Sequence, residues 1–308
     1  MSIAKDRILS IVNQSSDKKK LWFAAIKPPM YTVAVIPITF ATALAYWETG
    51  LFNLVTYLTF LTSAILIIAW LNLTNDVFDA DTGIDVNKAH SIVNLTGNKQ
   101  LIFWLANLFL VLGLVGIVLI NYWQGDWTVL EIVVGCCFLG YTYQGPPFRF
   151  GYLGLGEIIC FFTFGPMAIE AVYYSQTQEF SLPSLIVSSL IGLSTSVILF
   201  CSHFHQVEDD LAAGKKSPVV RLGTQTASNV LFTSIVIFYV LTTILVILNY
   251  LPIASFVVIL SLPTAIKLVK MVRANHNIPD QVKTSKFIAV NWHFISGCLL
   301  SIALVFQN

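Results

Sequence analysis

The segment Asn72-Leu-Thr-Asn75-Asp76-Val-Phe-Asp79-Ala-Asp81-Thr-Gly83-Ile-Asp85 puts carboxylates and carboxamides at the end of a long apolar run. On a helix, positions 72, 76 and 79 share one face, as do 75 and 79, because side chains three or four positions apart meet. Gly83 is placed to end that helix and let Asp85 fold back. Two carboxylates about 6 Å apart at an effective dielectric of 20 repel by about 3 kcal/mol, so the cluster calls for a cation. Donors that are all oxygen, with no His or Cys among them, select a hard ion. Mg²⁺ held by a few carboxylates and by substrate phosphates suits them best. A solvated acidic helix end is the plainer alternative, but Asn72 and Asn75 inside an apolar helix are costly without a partner.

A second cluster follows another apolar run: His203-Phe-His205-Gln206-Val-Glu208-Asp209-Asp210, then Gly214-Lys215-Lys216. A continuous helix would set His203, Gln206 and Asp210 on one face and His205 and Asp209 on the next. Two acidic helix ends on one side of a membrane, each followed by lysine, suggest a diphosphate held by metal and capped by ammonium groups. Neither histidine is assigned to metal, since a lone His is more often a packed polar residue. A third segment, Tyr141-Thr-Tyr143-Gln144-Gly-Pro-Pro-Phe-Arg149 through Gly154-Leu-Gly156-Glu157, adds aromatic rings, one Arg and one carboxylate. Ring faces stabilise cations, and Arg149 has the fork geometry to grip phosphate oxygens. The tyrosines equally suit an interfacial belt, and the glycines close helix packing.

These segments need apolar helices to carry them. Of 308 residues, 56% are apolar and 11% charged, and mean hydropathy is +0.77. Soluble chains carry about 25% charged residues, so a bilayer must solvate part of this one. A span needs about 20 apolar residues. About nine runs qualify, near 24–47, 52–74, 101–121, 127–144, 152–174, 182–204, 226–249, 251–271 and 286–306. An all-α bundle of about nine transmembrane helices is expected, with residues 24–308 as one domain. Residues 1–23 are read as a basic tail or interfacial helix. With a cytoplasmic N-terminus, all seventeen Lys and Arg fall inside, as the positive-inside rule asks. The expected active site is then at the cytoplasmic face. The five cysteines lie in apolar runs without metal-type spacing and read as small core hydrophobes. No nucleic-acid partner is expected.

Asn75-Asp76-x-x-Asp79 with Asp85, and the Asp210 helix end before Gly214-Lys215, resemble the two aspartate motifs of the UbiA superfamily of intramembrane prenyltransferases. The resemblance covers nearly the whole chain. Gly154-Leu-Gly156-Glu157 and Gly214-Lys-x-Ser-x-Val-Val-Arg221-Leu-Gly223 are most similar to the 1,4-dihydroxy-2-naphthoate prenyltransferases. Asn87-Lys88-Ala-His90-Ser91-Ile-Val-Asn94-Leu-Thr-Gly97 and His203-Phe-His205-Gln206 look like the cyanobacterial and plastid branch, where the prenyl group is phytyl. One departure is Gln206, which stands where many relatives begin the second motif with Asp.

The resemblance implies phytyl diphosphate, or another prenyl diphosphate, as donor and 1,4-dihydroxy-2-naphthoate as acceptor, in a plasma or thylakoid-type membrane. It implies two Mg²⁺ ions bridging the diphosphate, assigned to Asp76, Asp79 and Asp210 with Asp85 and Asp209 as further candidates. Lys88, Lys215 and Arg149 would neutralise the leaving oxygens, and Asn72 and Asn75 would hydrogen-bond them or orient the carboxylates. Gln206 is a further binding candidate. Tyr141 or Tyr143 would face the allylic cation, and His90 the acceptor carboxylate. The loop from Asn87 to Gly97 is a candidate lid. Other acceptors within the superfamily, such as homogentisate, chlorophyllide or 4-hydroxybenzoate, are the first rival reading. A transporter is the second, although its charges would sit nearer the bilayer midplane.

Overall fold

The computed structural model describes residues 22–23, 26–82 and 91–307. The basic tail, apart from Trp22 and Phe23, and Gly83, Asp85, Lys88 and His90 lie outside the described residues. Among those described there is no strand. Eight helical stretches are long and apolar enough to cross a membrane, and Thr128–Gln144 is a shorter apolar helix.

A 3₁₀ turn over Pro28–Tyr31 leads into α1 (Thr32–Thr49). Then come α2 (Leu54–Thr82), the short α3 (Ile92–Thr96), α4 (Lys99–Gln124) and α5 (Thr128–Gln144). The next span is broken: α6 (Gly156–Phe162) and α7 (Ala168–Thr177) flank a π-helical turn at Thr163–Met167. Pro166 there lacks the N–H that would continue the ladder. After α8 (Leu182–His203) follow two short helices, α9 (Val207–Ala212) and α10 (Pro218–Leu222). The chain closes with α11 (Thr224–Ile247), a 3₁₀ stretch Ile253–Ser261 running into α12 (Leu262–Asn275), a turn α13 (Pro279–Val282), and α14 (Ser285–Phe306).

Alpha helices suit apolar spans because each backbone group is paired within its own segment. Helix α2, at about 43 Å, is longer than the roughly 30 Å hydrocarbon core, and its last turns carry the first aspartate cluster. Small residues let it pack closely on α4, where a Cβ on Gly116 would fall 2.1 Å from Ser63 Oγ. The core centres on α1, α8 and α14, around fully buried Phe40, Leu190 and Trp292. Glu170, on α7, is a packing residue: buried, it accepts a 2.5 Å hydrogen bond from Ser184. Glu131 is exposed.

Two expectations change. The second cluster is not one helix, because α8 stops at His203 and the chain turns before α9, with Gln206 at the cap. The shared helical face of His203, Gln206 and Asp210 is therefore absent, and His203 meets Asp210 through a fold of the chain instead. Asp209 is exposed while Asp210 is fully buried, since consecutive residues of α9 point about 100° apart.

Candidate active site

The first cluster sits on the last turns of α2, and most of its contacts come from distant segments. Asp76 is buried at 4% exposure. Its Oδ1 accepts from Lys27 Nζ at 2.8 Å and its Oδ2 from the Ile92 amide at 3.1 Å. Ile92 begins α3, so the described part of the loop expected as a lid rests directly on Asp76. Among the described residues each Asp76 oxygen accepts one hydrogen bond. Asp79 accepts from Gln144 Nε2 at 2.6 Å. Asp81 is exposed and paired with Lys99.

In the second cluster Asp210 Oδ2 lies 3.1 Å from His203 Nδ1, and Lys215 Nζ stands 3.5 Å from Oδ1. Burial alone would raise the Asp210 carboxyl, but the His203 hydrogen bond and the Lys215 charge together hold it below the usual carboxylate range. Glu208 and Asp209 are exposed.

Tyr152, from the turn Phe150–Leu153, joins the two clusters. Its hydroxyl donates to Thr82 Oγ1 at 2.7 Å, at the end of α2. Its ring centroid lies 5.9 Å from Lys215 Nζ and 6.0 Å from the Arg149 guanidinium carbon. Its carbonyl accepts from the Lys216 amide at 2.8 Å. Burial pushes the Tyr152 phenol up, and although the Thr82 hydrogen bond opposes this, the Asp79 charge adds to it, so the hydroxyl stays a donor. Arg221 braces the same corner, its guanidinium donating to the carbonyls of Leu153 and Lys216. A Cβ on Gly154, at φ +74°, would fall 2.5 Å from the Lys216 carbonyl oxygen.

A cavity of about 260 Å³ opens beside these groups. Asn72, Asn75, Tyr143, Ser202 and Lys286 line it near the aspartate-bearing helix ends, and its deeper wall is apolar, reaching Phe60 and Ala168. From Asn75 to Phe60 along α2 is about 22 Å. Cys136, Cys137 and Cys160 border it, and all five cysteines are free. The two tyrosines differ. Tyr143 lines the cavity, packed against Gly151 and Gly156. Tyr141 does not line it; its hydroxyl donates to the Pro146 carbonyl at 2.6 Å and its ring meets Phe78 edge-on at 5.8 Å.

Several buried polar atoms here find no hydrogen-bond partner among the described residues: Asn72 Nδ2 and Arg149 Nε as donors, Asp210 Oδ1 as acceptor. Leaving a buried polar atom unpaired costs about 1–3 kcal/mol, so the two donors are places for a ligand atom, while Asp210 Oδ1 already has the Lys215 ammonium 3.5 Å away. The donors suit phosphate oxygens and the acceptor a cation. A hard divalent ion fits a donor set made of carboxylate oxygens. Among the described residues no three acidic, His or Cys side chains converge on one point.

Lys27, Gln144, Tyr152, Glu157 and His203 were not among the residues assigned from sequence. Gln144, Tyr152 and Glu157 belong to the aromatic segment singled out there, and His203 to the second cluster. Lys27 and Gln144 reach α2 across 49 and 65 positions, a relation no local pattern encodes.

The helical bundle, with eight stretches long and apolar enough to cross a membrane around an apolar cavity, defines an integral membrane protein. A model of the UbiA prenyltransferase family matches residues 34–295, and the chain belongs to that family. It is 59% identical over 283 residues to the 2-carboxy-1,4-naphthoquinone phytyltransferase of Synechocystis, spanning 92% of each chain. It is 41% identical to the chloroplastic 2-carboxy-1,4-naphthoquinone phytyltransferase of Arabidopsis thaliana, spanning 94% of this chain and 78% of that one. In fold it resembles a UbiA homolog from Archaeoglobus fulgidus bound to GPP and Mg²⁺. The TM-score is 0.61 at 16% identity, over 93% of this chain and 99% of that one.

Proposed function

We propose that the chain transfers a phytyl group, or another allylic prenyl group, from its diphosphate to 1,4-dihydroxy-2-naphthoate, giving the demethylated quinol precursor of phylloquinone. The observation that carries this reading is the Thr82, Tyr152 and Lys215 contact, which draws two aspartate-bearing helix ends together beside an apolar cavity. The phytyltransferases of Synechocystis and Arabidopsis support the choice of donor and acceptor.

Asp76, Asp79 and Asp210 would hold two Mg²⁺ ions against the diphosphate, joined by Asp85, which lies outside the described residues. Exposed Asp209 drops out of the set. When bound, the metal supplies positive charge that offsets the charge growing on the leaving group. Lys215, Arg149 and Lys88 add cationic donors, and Asn72 and Asn75 hydrogen-bond the phosphate oxygens. Gln206 caps α9, where its carbonyl accepts from the Asp210 amide at 2.7 Å and so sets the start of that helix.

The allylic C–O bond breaks and the diphosphate leaves with the electron pair. The Tyr143 ring, on the cavity wall, faces the allylic cation. The ring carbon of the acceptor that bears the carboxylate forms the new C–C bond. The bond to that carboxylate then breaks, carbon dioxide leaves, and its electron pair restores the aromatic ring. His90, outside the described residues, is the residue assigned to the acceptor carboxylate. The loop through Ile92, resting on Asp76, keeps out water that would otherwise capture the cation.

The gathering of Lys27, Lys99, Lys215 and Arg221 about these motifs supports a cytoplasmic mouth. The test is a membrane assay with labelled phytyl diphosphate and each acceptor in turn. Product should form with 1,4-dihydroxy-2-naphthoate in preference to homogentisate, chlorophyllide or 4-hydroxybenzoate. Preference for any of the others rejects the assignment.

A further inference from the structure

The two oxygens of Asp210 have different surroundings. Oδ2 is engaged by His203 Nδ1 at 3.1 Å, while Oδ1, without a short hydrogen bond among the described residues, is ion-paired with Lys215 Nζ 3.5 Å away. Asp210 is fully buried, so its oxygens cannot turn to bulk water. On the far side of the imidazole, His203 Nε2 stands 3.4 Å from Glu157 Oε1. Both Glu157 oxygens are shielded from solvent and make no hydrogen bond among the described residues, and the imidazole is the partner that Oε1 approaches within ion-pair distance. Glu157 is fixed in turn, because its carbonyl accepts from Ser196 Oγ on α8 at 2.9 Å. A row thus runs from Glu157 through His203 to Asp210, from the membrane-embedded wall to the acidic residue of the second cluster that turns inward.

We infer that His203 and Glu157 are positioning residues: His203 holds Asp210 so that Oδ1 faces the cation shared with the donor diphosphate, and Glu157 holds the imidazole in place. This deepens the function proposed above and rests on it. A carboxylate free to rotate presents either oxygen, and one tied through Oδ2 presents Oδ1 alone. Partners that orient a metal ligand in this way are worth about 10- to 100-fold in affinity. The orientation of Asp210 matters more here because residue 206 is Gln, which leaves the second cluster with one inward carboxylate.

The experiment titrates purified full-length protein with Mn²⁺ in the presence of inorganic pyrophosphate, reading free ion by electron paramagnetic resonance. His203→Leu should weaken Mn²⁺ binding by about 10- to 100-fold. His203→Asn, whose amide N–H takes the place of Nδ1, should rescue most of that loss. Glu157→Gln should weaken binding severalfold alone and add nothing in the His203→Leu background. In turnover, the Mg²⁺ concentration for half-maximal rate should shift while the acceptor KM stays. Unchanged Mn²⁺ affinity in His203→Leu, or equal losses from Glu157→Gln in both backgrounds, overturns the inference. If His203→Leu fails to fold, Glu157→Gln alone decides, a severalfold loss supporting and wild-type affinity refuting. Wild-type protein that binds no Mn²⁺ with pyrophosphate refutes the function proposed above and this inference with it.

Discussion

Tyr152 donates a 2.7 Å hydrogen bond to Thr82, 70 positions earlier in the chain, and its ring stands 5.9 Å from the Lys215 ammonium. One side chain therefore ties the end of the first aspartate helix to the loop behind the second motif. The hydroxyl serves the tie and the ring serves the cations. Tyr152→Phe should cost about 1 kcal/mol of stability and raise the donor KM a fewfold. Tyr152→Ala, which also removes the ring, should raise that KM further. With the phenol pushed above its ordinary value near 10, the Phe effect should not vary between about pH 6 and pH 9. Thermal unfolding in detergent and donor titration at three pH values check this.

The corner that carries Tyr152 depends on Gly154, whose left-handed backbone and tight approach to the Lys216 carbonyl both exclude a side chain. Gly154→Val should lower the unfolding temperature and reduce turnover by at least about tenfold, since the left-handed conformation alone costs about 1–2 kcal/mol. Arg221→Ala, removing the brace to Leu153 and Lys216, should raise the donor KM with little change in the acceptor KM. An equal rise in both would show that the corner does not serve the donor alone.

The deep wall sets which tail fits. Burying a methylene is worth about 0.8 kcal/mol, so a donor that fills the cavity gains over a shorter one. Ala168→Phe would occupy the deep end and should shift preference toward shorter prenyl diphosphates, read as kcat/KM over a series of chain lengths. An unchanged order of preference would mean that the tail leaves the bundle before reaching α7.

How much of this was legible in the sequence follows from how local each feature is. The helical spans and the acids of α2 stand out because carboxylates and carboxamides interrupt an apolar run. Asp210 could be found in the same way. Its separation from Asp209 carries no such mark, because no Gly or Pro announces the end of α8 at His203. The partners of the acids were harder still. Lys27, Gln144 and Tyr152 act across 49, 65 and 70 positions, and only the packed bundle brings them to α2. Glu157 was visible as a carboxylate in an apolar setting, but its row with His203 exists only in the fold.

The proposed function requires Asp79 and Asp210, on two helices far apart in sequence, to act on one diphosphate through Mg²⁺. Calorimetric binding of a non-reactive thiodiphosphate donor analogue with Mg²⁺ tests it in a double-mutant cycle. Asp79→Ala and Asp210→Ala should each weaken binding by at least about tenfold, with their effects coupled by roughly 1 kcal/mol or more. Wild-type affinity in either single variant, or strictly additive losses in the double variant, would contradict it.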